Sequence, residues 1–165
     1  MLIKGIKDED FVNYKVPSMT LMFPYCTFKC GNDLCQNSEL AKQEIIQIGI
    51  DDLCKRYVNN PISESVVCQG LEPFDSTDEL LSFISKLRGV YDNHDDIVIY
   101  TGYNPSEVGE QLLSLLEYDN IIIKFGRFVP NQKPHHDDVL GVNLASDNQV
   151  AIRLTNKKEN YGRNS

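Results

Sequence analysis

At 165 residues the chain lies within the usual range for one domain and is long enough to bury a core without disulfide staples. Its formal net charge of -8, from 24 acidic against 16 basic side chains, repels a phosphate backbone and argues against nucleic acid as a partner. No stretch approaches the roughly eighteen apolar residues a bilayer span needs, and the first ten residues carry no long apolar run, so a cytoplasmic protein without a membrane partner is expected.

Apolar runs of strand length alternate with amphipathic stretches of helical period, the pattern of an α/β fold with a mostly parallel sheet. The first strand is expected at residues 19–24. Ile50, Leu53, Cys54, Tyr57 and Val58 fall on one helical face, which Asn59, Asn60 and Pro61 terminate before a short buried strand at 65–68. A second helix is expected from Ser76, where Ser76 and Glu79 have the spacing of a capping box and Leu80, Leu81, Ile84 and Leu87 form the apolar face. A strand at 97–100 follows. Asn104, Pro105 and Glu107 then read as the capped start of a third helix, with Val108, Leu112, Leu115 and Leu116 facing inward. A strand at 121–123, a loop containing Pro130 and Pro134, and a last apolar run at 150–152 complete a single domain over 1–155. Residues 156–165 form a polar tail, expected to fray.

The odd number of cysteines, five, and the crowding of Cys26, Cys30 and Cys35 into ten residues fit metal binding better than disulfides. Three thiolates are the ligand set that leaves one iron of a 4Fe-4S cluster without a protein ligand and open to a small molecule. A structural zinc site, with Cys54, Cys68 or a histidine as fourth ligand, is the alternative. Cys54 and Cys68 themselves read as small buried core residues.

Further polar or glycine-containing segments abut the expected strands, where ligand sites gather in α/β proteins. They are Gln69, Gly70, Leu71, Glu72 and Pro73; then Tyr100, Thr101, Gly102 and Tyr103; then Phe125, Gly126, Arg127 and Phe128; and last Ser146, Asp147, Asn148 and Gln149. His135 and His136 read as an exposed, diverging pair. Taken without further context, Glu72 beside Pro73 and Arg127 beside Gly126 read equally as surface turns.

In this order, the cysteine cluster and the four later segments resemble the activating proteins of anaerobic ribonucleoside-triphosphate reductases from about residue 18 to 152. The resemblance implies a small partial (β/α) barrel of radical-SAM type, a 4Fe-4S cluster held by Cys26, Cys30 and Cys35, and S-adenosylmethionine (SAM) as cofactor. It implies a radical-SAM oxidoreductase that cleaves SAM to methionine and a 5′-deoxyadenosyl radical, which takes a hydrogen from a glycine of the reductase large subunit. A flavodoxin or ferredoxin-type protein would donate the electron. Carried over by position, Gln69, Gly70 and Glu72 would hold the methionine amino group, with Glu72 as acceptor. Thr101 and Gly102 would lie near the ribose or methionine part, and Asn148 would belong to the cofactor site. The chain departs from the family in a C-x3-C-x4-C rather than C-x3-C-x2-C spacing, in Leu34 where an aromatic usually precedes the third cysteine, and in Leu71 where a second glycine is usual. A cluster protein that has lost SAM cleavage, serving electron transfer, and a radical-SAM enzyme for another substrate stay open beside the activase.

Overall fold

A computed structural model describes residues 1–31 and 35–155. In chain order the elements are β1 (Leu2–Ile3), β2 (Gly5–Asp10), β3 (Ser18–Phe23), α1 (Ser38–Lys42), β4 (Ile46–Gln47), α2 (Ile50–Val58) and β5 (Ser65–Gly70). They continue with α3 (Thr77–Gly89), β6 (Asp96–Tyr100), α4 (Gly109–Leu115), β7 (Ile121–Phe125), β8 (His135–Asp137), β9 (Val142–Leu144) and β10 (Val150–Arg153). The main sheet has the order β10-β7-β6-β5-β3-β2. Its four inner strands, β3, β5, β6 and β7, run parallel, while β2 and β10 are antiparallel edges. The fold is therefore mixed α/β with a mostly parallel sheet.

The inner strands read as continuous apolar runs because both faces of the sheet are covered. On one face Leu21, Phe23, Cys68, Ile97, Ile99 and Ile123 pack against α2, α3 and α4 through Leu53, Phe83, Ile84, Leu87 and Leu115. On the other, Val67, Val98 and Ile122 meet Tyr14, Leu140 and Leu144, which belong to the segment after β2 and to the β8–β9 hairpin. Cys54 and Cys68 are fully buried in the helix-side core, as their neighbours in sequence suggest. Each fully buried aliphatic or aromatic side chain contributes about 1.5–3 kcal/mol of transfer free energy.

Several local expectations change. The charged run of β2 is a strand after all: it is an edge, where charges are tolerated and blunt further pairing. Asp8 there accepts from Arg56 of α2 at 2.6 and 2.7 Å, and Asp10 accepts from Thr20 at 2.9 Å. The loop after Pro130 contains the β8–β9 hairpin, closed by Asp137, whose carboxylate accepts from the N–H groups of Leu140 and Ala151. Ser76 does not cap α3. A 3₁₀ turn, Pro73–Ser76, runs directly into the helix, the Ser76 hydroxyl is buried without a partner, and Glu79 instead accepts from the Leu2 N–H at 2.9 Å. The helix expected from Asn104 divides at Val108 into a 3₁₀ turn, Pro105–Glu107, and α4. No helix among the described residues is long and apolar enough to cross a membrane. Leu34 and the 156–165 tail lie outside the described residues.

Candidate functional site

Cys26 and Cys30 follow β3 in a loop whose turns need unusual backbone: Phe28 and Gly31 have φ of 51° and 87°, and the Gly31 N–H donates to the Phe28 carbonyl at 2.9 Å. The Phe28 N–H in turn donates to Cys26 Sγ. Side chains from the ends of later elements hold the loop. Asp75 accepts from the Thr27 N–H at 2.8 Å and from the Tyr103 hydroxyl at 2.6 Å, and that hydroxyl lies 3.1 Å from Thr27 Oγ1. Lys29 and Arg127 both face the Tyr103 ring, 4.8 and 5.3 Å from its centroid, and both pair with Glu107. Beyond Cys35, Asn37 donates to the Gly70 carbonyl at 2.7 Å, tying the far side of the loop to the end of β5.

Gly70 sits at φ +109°, and a Cβ there would stand 2.7 Å from the Phe23 backbone nitrogen, so β3 and β5 meet this closely only because the residue is glycine. The chain then turns through Leu71, which takes no positive φ and so tolerates its side chain. Glu72 follows, 4% exposed. Its carboxylate accepts from the Phe74 N–H at 3.1 Å and the Gly102 N–H at 2.9 Å. Burial pushes this carboxyl up to about 7, against the opposing pull of those N–H groups and the Thr101 hydroxyl. Thr101 is buried and accepts from the Tyr103 N–H at 3.0 Å.

These segments surround one cavity of about 450 Å³ at the C-terminal ends of the parallel strands, a volume typical of small-molecule sites. Cys26, Cys30 and Cys35 line it, as do Gln69, Gly70, Glu72, Thr101 and Gly102. Of the residues expected at a cofactor site, Asn148 alone is not in the wall. Its amide donates to the Arg127 carbonyl at 2.9 Å, and both it and its own carbonyl stand 3.1 Å from where a Gly126 Cβ would lie. Gln149 takes the wall position instead, donating to the Gly126 carbonyl and accepting from the Ala145 and Ser146 N–H groups. Asn13, Leu144 and above all Lys124 also line this wall and belong to none of the sequence motifs. A single lysine inside the run Ile121, Ile122, Ile123, Phe125 was the available signal.

A family model described as a 4Fe-4S single cluster domain matches residues 17–152. The chain belongs to this family. Among curated proteins none matches it. The residues present fit a cluster of a 4Fe-4S single cluster domain through their donor set: three sulfurs, each partly exposed, on the wall of a shared cavity, with Cys30 and Cys35 close enough to interact. Among the described residues no three Cys, His, Asp or Glu side chains are already gathered into a metal site. Burial pushes the Cys26 thiol up to about 11 and raises Cys30 as well, so cluster binding, which takes thiolates, must displace protons there. Cys54 and Cys68 are buried in the helix-side core and take no part in the cavity wall. Among the described residues no histidine lines it either, so none of the residues considered as a fourth zinc ligand is placed there.

Proposed function

We propose that this 4Fe-4S domain is a radical-SAM activase that generates a glycyl radical on an anaerobic ribonucleotide reductase, working in the cytoplasm with a flavodoxin or ferredoxin-type electron donor. The observation that carries the reading is that three thiols of one loop and the buried Glu72 turn face a single cavity at the strand ends. The cluster would be held by Cys26, Cys30 and Cys35 and, when bound, would supply the electron that cleaves the SAM sulfonium.

The chain's own residues supply recognition. Glu72 has spare acceptor capacity beyond its two backbone N–H partners and would receive the methionine ammonium. Gly70 and Gly102 keep side chains out of that corner; a Cβ on Gly102 would meet Arg127 at 3.2 Å and Glu72 at 3.6 Å. Thr101 and Gln69 complete the adjacent wall, and Asn148 supports it from behind through Arg127 and Gly126. The four inner parallel strands with helices on one face and the cavity toward the other support a partial barrel of radical-SAM type. Asp75 and Tyr103 hold the Thr27 end of the cysteine loop, and Cys26, Cys30 and Cys35 share the cavity wall with Glu72.

Anaerobic reconstitution, reduction and addition of SAM test the reading, with 5′-deoxyadenosine and methionine measured by chromatography. Formation of both in equal amounts supports it. A protein that holds its cluster and accepts electrons but never cleaves SAM would instead be an electron carrier.

A further inference from the structure

Both ends of the cysteine loop are fastened to one buried residue outside the cavity, Lys4, which lies between β1 and β2 and is 8% exposed. Its backbone N–H donates at 2.7 Å to the carbonyl of Met22, near the end of the strand that leads into Cys26. Its ammonium donates at 2.8 Å to the Ala41 carbonyl and also to that of Gln43, the residue that ends α1. Among the described residues no carboxylate pairs with this ammonium.

Helix α1 depends on this contact in a way that α2, α3 and α4 do not. Each of those three buries side chains of its own, whereas α1 buries none and has no apolar face in the core. The last carbonyls of a helix lack intrahelical partners, and a lysine both satisfies them and complements the negative end of the dipole. Burying an ammonium against two carbonyls without a counter-charge is costly, and what it secures here is the placement of α1. That placement reaches the third cysteine through the backbone. The Ser38 N–H donates to the Cys35 carbonyl at 3.3 Å and the Ala41 N–H to the Asn37 carbonyl at 3.0 Å, so the helix runs on directly from Cys35. Lys42, the other lysine at this end of α1, is exposed and pairs with Glu39 of the same helix.

We propose that Lys4 is a positioning residue for the iron-sulfur cluster: by joining the end of β3 to α1 it sets Cys35 against Cys26 and Cys30. The inference rests on the reading of these three cysteines as cluster ligands and is independent of SAM.

The test compares wild type, Lys4→Met, Lys4→Gln, Lys4→Arg and Lys42→Met after anaerobic reconstitution. It measures the rate at which a chelator strips the iron and the electron paramagnetic resonance signal of the reduced cluster. Lys4→Met and Lys4→Gln should release iron roughly ten- to a hundredfold faster, the scale on which removing a group that orients a metal ligand acts, and should shift the resonance. Lys4→Arg, which keeps a charged donor, should restore most of both. Lys42→Met, which removes the same charge from the exposed side of α1, should match wild type. Wild-type release rates and resonance in Lys4→Met and Lys4→Gln overturn the positioning role while leaving the cluster intact. Loss of native circular dichroism in both metal-free variants also overturns it, since Lys4 would then serve the fold rather than the cluster. A wild-type chain that takes up no iron, or a Cys35→Ala chain that keeps all of it, overturns the ligand reading and this inference with it.

Discussion

Glu72→Gln removes the buried carboxyl that lines the cavity among the described residues, and its effect on stability can be worked from the structure. The side chain is 4% exposed, and burial raises its carboxyl from 4.5 to about 7. Because the folded chain holds this proton more tightly than the unfolded chain, the stabilising contribution is full below 4.5 and is lost as pH rises through about 7. Each pH unit between those values carries about 1.4 kcal/mol, so the wild-type chain should lose about 3 kcal/mol relative to Glu72→Gln across the interval. The variant has its own constant cost of about 1–3 kcal/mol, since its amide nitrogen must face either the Phe74 or the Gly102 N–H. That cost offsets the curves without changing their divergence. Urea unfolding of the reduced, metal-free protein from pH 4.5 to 8 measures the difference directly. A difference that stays flat would show that burial does not raise this carboxyl, and one that grows in the wild type's favour with rising pH would show that the Phe74 and Gly102 N–H groups outweigh burial.

Alanine at Cys26, Cys30 or Cys35 should each abolish the iron of anaerobically reconstituted protein, about four per wild-type chain by cluster chemistry. Cys54→Ala and Cys68→Ala should retain it, and stoichiometric zinc without iron would overturn the assignment of the cluster. Gly70→Ala places a Cβ 2.7 Å from the Phe23 backbone at φ +109°, so it should cost about 1–3 kcal/mol or more in denaturant midpoint; an unchanged midpoint would mean that β3 and β5 are not this close.

The inner sheet was legible because its strands are buried on both faces and its helices on one, so continuous runs such as residues 97–100 and the period of Leu80, Ile84 and Leu87 carry their own signal. The edges were not. In β2, Ile6, Lys7, Asp8 and Glu9 mix charge with a short strand, and β8 and β9 are three residues each, too short for any period to register. Ser76 shows how a correct motif loses to tertiary context: Glu79 is taken by the backbone of β1, and the preceding 3₁₀ turn leaves the hydroxyl nothing to cap. In the site, the cysteines and the turn at Gly70 and Glu72 stand out by residue type, and strand order brings them together. Lys124 carried no motif. Its place in the wall comes from the register of β7 with Tyr100 of β6, which a linear sequence does not display. Asn148 stood out as a motif residue, yet its amide serves the backbone of Arg127 rather than the cavity.

The most direct test of the account is electron paramagnetic resonance of the reduced, cluster-loaded protein mixed with SAM and an anaerobic ribonucleotide reductase large subunit. A glycyl-radical doublet on the reductase, formed together with 5′-deoxyadenosine and absent when Cys26, Cys30 or Cys35 is replaced, is the predicted result. SAM cleavage without a glycyl radical on any reductase supplied would contradict the activase assignment and leave a radical-SAM enzyme for a different substrate.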